Sequence, residues 1–96
     1  MSLYELIKQK RKEILQIADK YGAYNVRIFG SVARGQDNKD SDIDFLVDLK
    51  NDRSLWDLGG LWTELNELLK IRIEVFTAST LKEKIRQNAL SEAIKI

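Results

Sequence analysis

Two aspartates one residue apart, Asp42 and Asp44, stand in the segment SDIDFLV. Apolar and polar residues alternate through this segment as in a β-strand, so both carboxylates should project from the same face. Two ionised carboxylates held about 6.6–7 Å apart along a strand repel each other unless a cation or solvent offsets their charge. The spacing therefore predicts a site for a divalent cation that prefers oxygen ligands, such as Mg²⁺.

A third carboxylate has the same parity in a later segment, IRIEVF. Glu74 alternates with Ile73 and Val75, which places it on the polar face of another predicted strand. Taken alone, Glu74 is more typical of a solvated sheet position than of a metal ligand. If the two strands are neighbours, the three acids could ligate magnesium ions that also hold a nucleoside triphosphate.

The Gly30-Ser31 step follows a run of β-branched and aromatic residues and predicts a turn from a strand into a short helix. Backbone N–H groups and a hydroxyl at such a turn can bind phosphate oxygens. Arg34 could reach a phosphate or form an ion pair over the acidic face, and the sequence leaves both open. Ser41 is expected to orient the loop or to cap a carboxylate, and we include it among the candidates for nucleotide binding.

The composition excludes several kinds of site. The 96 residues include no cysteine and no histidine, which removes thiolate nucleophiles, Ser-His-Asp arrangements and the usual zinc sites. The net charge of +1 predicts no direct binding to nucleic acid. No apolar run approaches the roughly 20 residues that span a bilayer, and no export signal opens the sequence. We therefore expect a cytoplasmic protein without membrane association.

Hydrophobic periodicity predicts three helices, three strands and a loop. The helices cover about 3–20, 54–69 and 80–88, the strands 25–29, 42–47 and 71–76, and the loop 35–41. This order is typical of an α/β (α+β) fold with a small mixed β-sheet covered by helices. The length is that of one domain, residues 1–96.

The joint motif resembles that of the nucleotidyltransferase superfamily, in which Gly-Ser is followed after about ten residues by Asp-x-Asp. The segments GSVARG and SDIDFLV are most similar to the minimal nucleotidyltransferase (MNT) family, whose members are partners of HEPN-family toxins. The resemblance covers nearly the whole chain and implies a nucleotidyltransferase-like fold. It assigns the metal to Asp42, Asp44 and Glu74, and the triphosphate to Gly30 and Ser31. The third acid of the family is usually aspartate, whereas a longer glutamate stands here.

The resemblance also implies an activity. An MNT adenylyltransferase moves AMP from ATP, with Mg²⁺, to a hydroxyl, often that of a tyrosine on a HEPN toxin whose ribonuclease activity is thereby silenced. The chain would then be the antitoxin of a type VII-like toxin–antitoxin pair. The sequence leaves open the acceptor, the number of AMP groups added, the nucleotide preference and whether homo- or hetero-oligomers form.

Two other functions fit the sequence less closely. A catalytically weak chain could neutralise its partner by contact alone, through an apolar helix face that carries Trp56 and Trp62, although their spacing is more typical of a core. A small-molecule (antibiotic) nucleotidyltransferase would normally add a helical domain, and only twenty residues follow Phe76.

Overall fold

The computed structural model describes residues 2–38 and 40–96. Met1 and Lys39, which belong to the predicted domain and to the predicted loop, lie outside the described residues. The helices are α1 (Leu3–Gln9), α2 (Arg11–Lys20), α3 (Gly30–Ala33), α4 (Leu55–Leu69) and α5 (Glu83–Glu92). The strands are β1 (Ala23–Phe29), β2 (Ile43–Leu49), β3 (Ile73–Phe76) and β4 (Ile94–Lys95).

The strands form one sheet in the order β3-β2-β1-β4. β1 pairs antiparallel with β2 and with β4, whereas β2 and β3 are parallel because α4 crosses over between them. This mixed sheet covered by helices confirms the predicted fold class. Within the described part of the chain, no helix is long and apolar enough to cross a membrane.

The predicted helix over residues 3–20 is in fact two helices divided at Lys10, whose backbone departs from helical geometry at φ −97° and ψ 10°. Ile7 and Ile14 anchor α1 and α2 in the core. Between them the next core-facing positions fall on Lys10 and Arg11, so no apolar side chain holds a continuous helix against the sheet. Ser2 caps α1, since its hydroxyl accepts from the amide of Glu5 at 3.1 Å.

Helix α4 begins as predicted, with Ser54 and Asp57 forming a reciprocal capping box. Its buried stripe consists of four leucines, Leu58, Leu61, Leu65 and Leu69. The prediction that the tryptophans lie in the core was wrong, because Trp56 is 90% exposed and Trp62 is 41% exposed. Both residues stand outside the leucine stripe, and the indole N–H of Trp62 donates to the carbonyl of Ile73 at 2.9 Å.

The C-terminal elements differ most from the prediction. Thr80 does not open the last helix, which begins at Glu83 with Lys82 as its N-cap. Thr80 belongs to a short 3-10 turn, where its hydroxyl accepts from the amide of Thr77 at 3.0 Å. The residues after the predicted end of the last helix contain β4, a two-residue strand too short for periodicity to reveal.

Helix α5 covers part of the sheet face opposite to the main core. Leu81 and Ala89 are buried there with Phe29 and Leu46 in a second, smaller cluster. Asp44, two residues before Leu46 on β2, lies on this same face of the sheet.

Candidate active site

The parallel register of β2 and β3 places the acids of the two strands side by side. Asp44 pairs directly with Glu74, and Ile43 pairs with Ile73. Asp42 precedes β2 by one residue and shares the face of Asp44. The condition set by the sequence, that the two acid-bearing strands be neighbours, is therefore met.

The carboxyl of Asp44 is half-buried and has a raised pKa. Burial raises its pKa from 3.8 to about 6, and the charges of Asp42, Glu74 and Glu92 add to the rise, while Arg34 acts in the opposite direction. The chain thus concentrates negative charge around a half-buried carboxyl without offsetting it fully. A bound cation would offset it.

The raised pKa of Asp44 predicts a pH-dependent stability of the metal-free protein. Because the folded protein holds this proton more tightly than the unfolded chain, stability is gained as the pH falls through about 6 and the gain is complete below 3.8. In EDTA we expect Asp44→Asn to have a higher Tm than wild type at about pH 7.5. This difference in Tm should become smaller as the pH is lowered to about 4.5. All other groups titrate in both proteins, so a constant difference in Tm would contradict this environment for Asp44.

Asp42 has a counter-ion within the chain. Nε of Arg72 donates to Oδ1 of Asp42 at 2.5 Å, and this contact, followed by the charges of Asp40 and Glu74, raises the pKa of Arg72. In this arrangement no three acidic side chains of residues 2–38 and 40–96 converge closely enough to hold a metal ion. A metal ion would compete with Arg72 for the carboxylate of Asp42, and the all-carboxylate donor set suits Mg²⁺.

Gly30 lies against Asp44. Its φ of +78° is in the left-handed region that favours glycine, and a Cβ at this position would overlap Oδ2 of Asp44. Ser31 follows in α3, half-buried. The backbone turn that the sequence predicts for phosphate therefore lies directly beside the acid pair.

Arg34 forms the ion pair that the sequence left as one of two possibilities, but with a residue that the sequence analysis missed. Its Nη1 donates to both carboxylate oxygens of Glu92, at 3.1 and 3.0 Å, and its Nε donates to Gln36 at 2.9 Å. Glu92 lies in the last turn of α5, beyond the predicted end of that helix near Asn88. An extra helical turn after Asn88 carries no distinctive sequence signal.

Ser41 orients the loop that precedes β2, as predicted. Its hydroxyl accepts from the amide of Asn38 at 2.9 Å, and its own amide donates to the Asn38 carbonyl at 3.0 Å. Binding of a nucleotide by Ser41 stays a prediction.

A family model described as "Nucleotidyltransferase domain" matches residues 7–96. The chain belongs to the nucleotidyltransferase family. This nucleotidyltransferase is 34% identical over 90 residues to the "Putative protein adenylyltransferase MJ0435" of Methanocaldococcus jannaschii, covering 94% of this chain and 97% of the relative. It is 32% identical over 81 residues to the "Protein adenylyltransferase MntA" of Thermococcus cleftensis, covering 84% of this chain and 82% of the relative. The chain is thus a transferase.

Solved structures agree with this assignment. A structure described as "Structure of putative minimal nucleotidyltransferase" superposes with a TM-score of 0.87 at 38% identity, covering 100% of this chain and 97% of that chain. A "toxin-antitoxin with AMP-PNP" superposes with a TM-score of 0.73, covering 88% of this chain and 69% of that chain. At 16% identity, this second likeness concerns the fold alone.

Proposed function

We propose that this nucleotidyltransferase is an adenylyltransferase that transfers AMP from ATP to a protein hydroxyl. The observation that carries the proposal is the register that sets Asp44 beside Glu74, with Asp42 next to them and the Gly30 turn against Asp44. The name of the relative from Methanocaldococcus jannaschii supports the protein acceptor. ATP as the donor is supported by the AMP-PNP named for the toxin–antitoxin structure that shares this fold.

The residues divide the chemistry between them. Asp42, Asp44 and Glu74 would hold Mg²⁺, which when bound stabilises charge on the triphosphate. The amide of Gly30, the hydroxyl of Ser31 and the guanidinium of Arg34 would bind phosphate oxygens. Ser41 would keep the loop before β2 in place beside them.

The transfer is an in-line displacement at the α-phosphorus. The acceptor oxygen forms a bond to this phosphorus, the bond to the bridging oxygen of pyrophosphate breaks, and the acceptor hydroxyl gives up its proton. The chain has no histidine to receive that proton. Asp44, the carboxylate at the centre of the site, or a water molecule would receive it.

The proposed acceptor is a tyrosine of a HEPN-family toxin, which would make this chain the cytoplasmic antitoxin of a type VII-like pair, with residues 1–96 as one minimal nucleotidyltransferase domain. Two findings support a toxin partner. A toxin–antitoxin assembly shares the fold, and a second structure with this fold is described as the toxin-antitoxin MntA-HpeT, which includes the name MntA of the Thermococcus cleftensis relative.

The test is transfer of label to the partner. We would incubate the purified chain with Mg²⁺ and with a HEPN-type protein encoded by an adjacent gene. Parallel samples receive ATP labelled at the α-phosphate or at the γ-phosphate. The proposal predicts that the partner acquires label from α-labelled ATP only, and that EDTA prevents it. Label from γ-labelled ATP, or none from either where an active adenylyltransferase serves as positive control, would contradict the proposal.

Neutralisation by contact alone is the second candidate, and one observation favours it. Leu55 and Trp56, 69% and 90% exposed, form an apolar face at the start of α4. The double variant Asp42→Asn, Asp44→Asn separates the two functions. If it folds and still silences the partner's ribonuclease activity, contact is sufficient; if silencing is lost while folding is intact, AMP transfer is required.

A further inference from the structure

The carboxylate of Glu92 accepts hydrogen bonds from two groups that the proposed function gives to the nucleotide, the amide of Gly30 and the guanidinium of Arg34. Oε1 of Glu92 accepts from the backbone amide of Gly30 at 3.0 Å, and both carboxylate oxygens accept from Nη1 of Arg34 at 3.1 and 3.0 Å. Carboxylate and phosphate oxygens carry like charge and accept from the same N–H donors. The carboxylate of Glu92 therefore stands where a phosphate of the substrate would bind.

The packing of α5 does not depend on this contact. Ala89 of α5 is 1% exposed and packs in the second cluster with Leu81, which precedes the helix and is 6% exposed. The side chain of Glu92 is 25% exposed, and a cleft of about 380 Å³, lined in part by Gly30, Arg34 and Glu92, opens beside it. The side chain of Glu92 therefore has room to rotate into the cleft while α5 stays packed on the sheet.

Like charges oppose the contact. Glu92 bonds to the amide of Gly30, and Gly30 lies directly against Oδ2 of Asp44, so the two carboxylates flank the same residue and repel each other. Its bonds to Gly30 and Arg34 hold Glu92 in place against this repulsion. A ligand that brings its own cation together with its phosphates would take over both bonds and relieve the repulsion.

We propose that Glu92 is an internal competitor of the nucleotide: its carboxylate fills the phosphate-binding groups of the free protein and leaves them when magnesium-bound ATP enters. This inference rests on the proposed function and concerns regulation of the same site. Because the protein must first release Glu92, the apparent affinity for nucleotide is lower than the intrinsic affinity of the open site.

Calorimetric titration with α,β-methylene ATP and Mg²⁺, which binds without AMP transfer, tests the proposal on four proteins. Glu92→Gln removes the charge, and Glu92→Asp keeps the charge but shortens the side chain by one methylene. We expect both to lower the Kd by roughly threefold to tenfold relative to wild type, the scale of one partly exposed charged contact. Glu83→Gln, an equal charge change in the exposed first turn of α5, should leave the Kd unchanged.

Each other outcome has a definite meaning. If Glu92→Gln lowers the Kd but Glu92→Asp does not, only the distant charge of Glu92 matters. If the Kd is unchanged or raised in both variants while Tm stays intact, Glu92 does not compete with the nucleotide. Either result overturns the inference, whereas binding by the wild type preserves the proposed function. No binding by any of the four proteins at millimolar nucleotide and Mg²⁺ overturns the proposed function, and the inference with it. Folding of each variant is checked by Tm and by the amide spectrum.

Discussion

Replacing Asp44 with asparagine should abolish AMP transfer and make the metal-free protein more heat-stable. Loss of groups that merely orient a metal ligand typically costs 10- to 100-fold in activity, so loss of the ligand itself should cost about a hundredfold or more. The stability gain follows because the variant no longer holds an ionised, half-buried carboxyl beside Asp42 and Glu74. At about pH 8 in EDTA we expect Tm to rise by several degrees, since about 1 kcal/mol moves the Tm of a domain this size by about 4–8 °C.

Asp48 provides the matched control on the same strand. Its carboxylate accepts from Nη2 of Arg27 at 2.9 Å and from the side-chain amide of Asn25 at 3.0 Å. Asp48→Asn therefore removes a favourable ion pair, so Tm should fall slightly or stay constant while AMP transfer persists. If Asp44→Asn lowered Tm in the same way, the ionised carboxyl of Asp44 would not destabilise the metal-free protein. If the variant retained AMP transfer, Asp44 would not be the metal ligand proposed above.

Gly30→Ala should also inactivate the enzyme, by a different route. The new Cβ would overlap Oδ2 of Asp44, so the carboxylate must move out of line with Asp42 and Glu74. The positive φ of Gly30 adds a backbone cost of roughly 1–2 kcal/mol for any L-residue. We expect AMP transfer to fall at least about tenfold, as for other displaced metal-site groups, together with a lower Tm.

Gly35→Ala separates the two contributions. Gly35 has a similar φ of +70°, but a Cβ there would meet no atom within 4 Å. Its alanine variant should lose similar stability and keep its AMP transfer. Equal activity of the two alanine variants would mean that the contact between Gly30 and Asp44 has no part in the chemistry.

The sequence predicts the acid cluster because two strong constraints agree. Strict alternation fixes the face of each strand, and a helix between β2 and β3 makes them parallel neighbours. The same alternation also predicts that Arg72 contacts Asp42. Arg72 directly precedes Ile73, Asp42 directly precedes Ile43, and these two isoleucines are paired in the register.

Other features had no comparable signal. The approach of Glu92 to Gly30 depends on where α5 ends and on β4, and neither is marked by periodicity. The exposure of Trp56 depends on which of several overlapping apolar stripes faces the sheet, and the leucines took that position. Tertiary packing decides such choices, and helical spacing alone does not.

The proposed function requires the acids of β2 and β3 to bind a divalent cation beside the Gly30 turn. Mn²⁺, a paramagnetic substitute for Mg²⁺, tests it most directly when titrated into the ¹⁵N-labelled protein, because it broadens the amide signals nearest to it. We expect the amides of Asp44 and Glu74 to broaden first, together with that of Gly30, which lies against Asp44. Broadening that begins instead at Asp48 or Asp52, or at no defined residue, would contradict it.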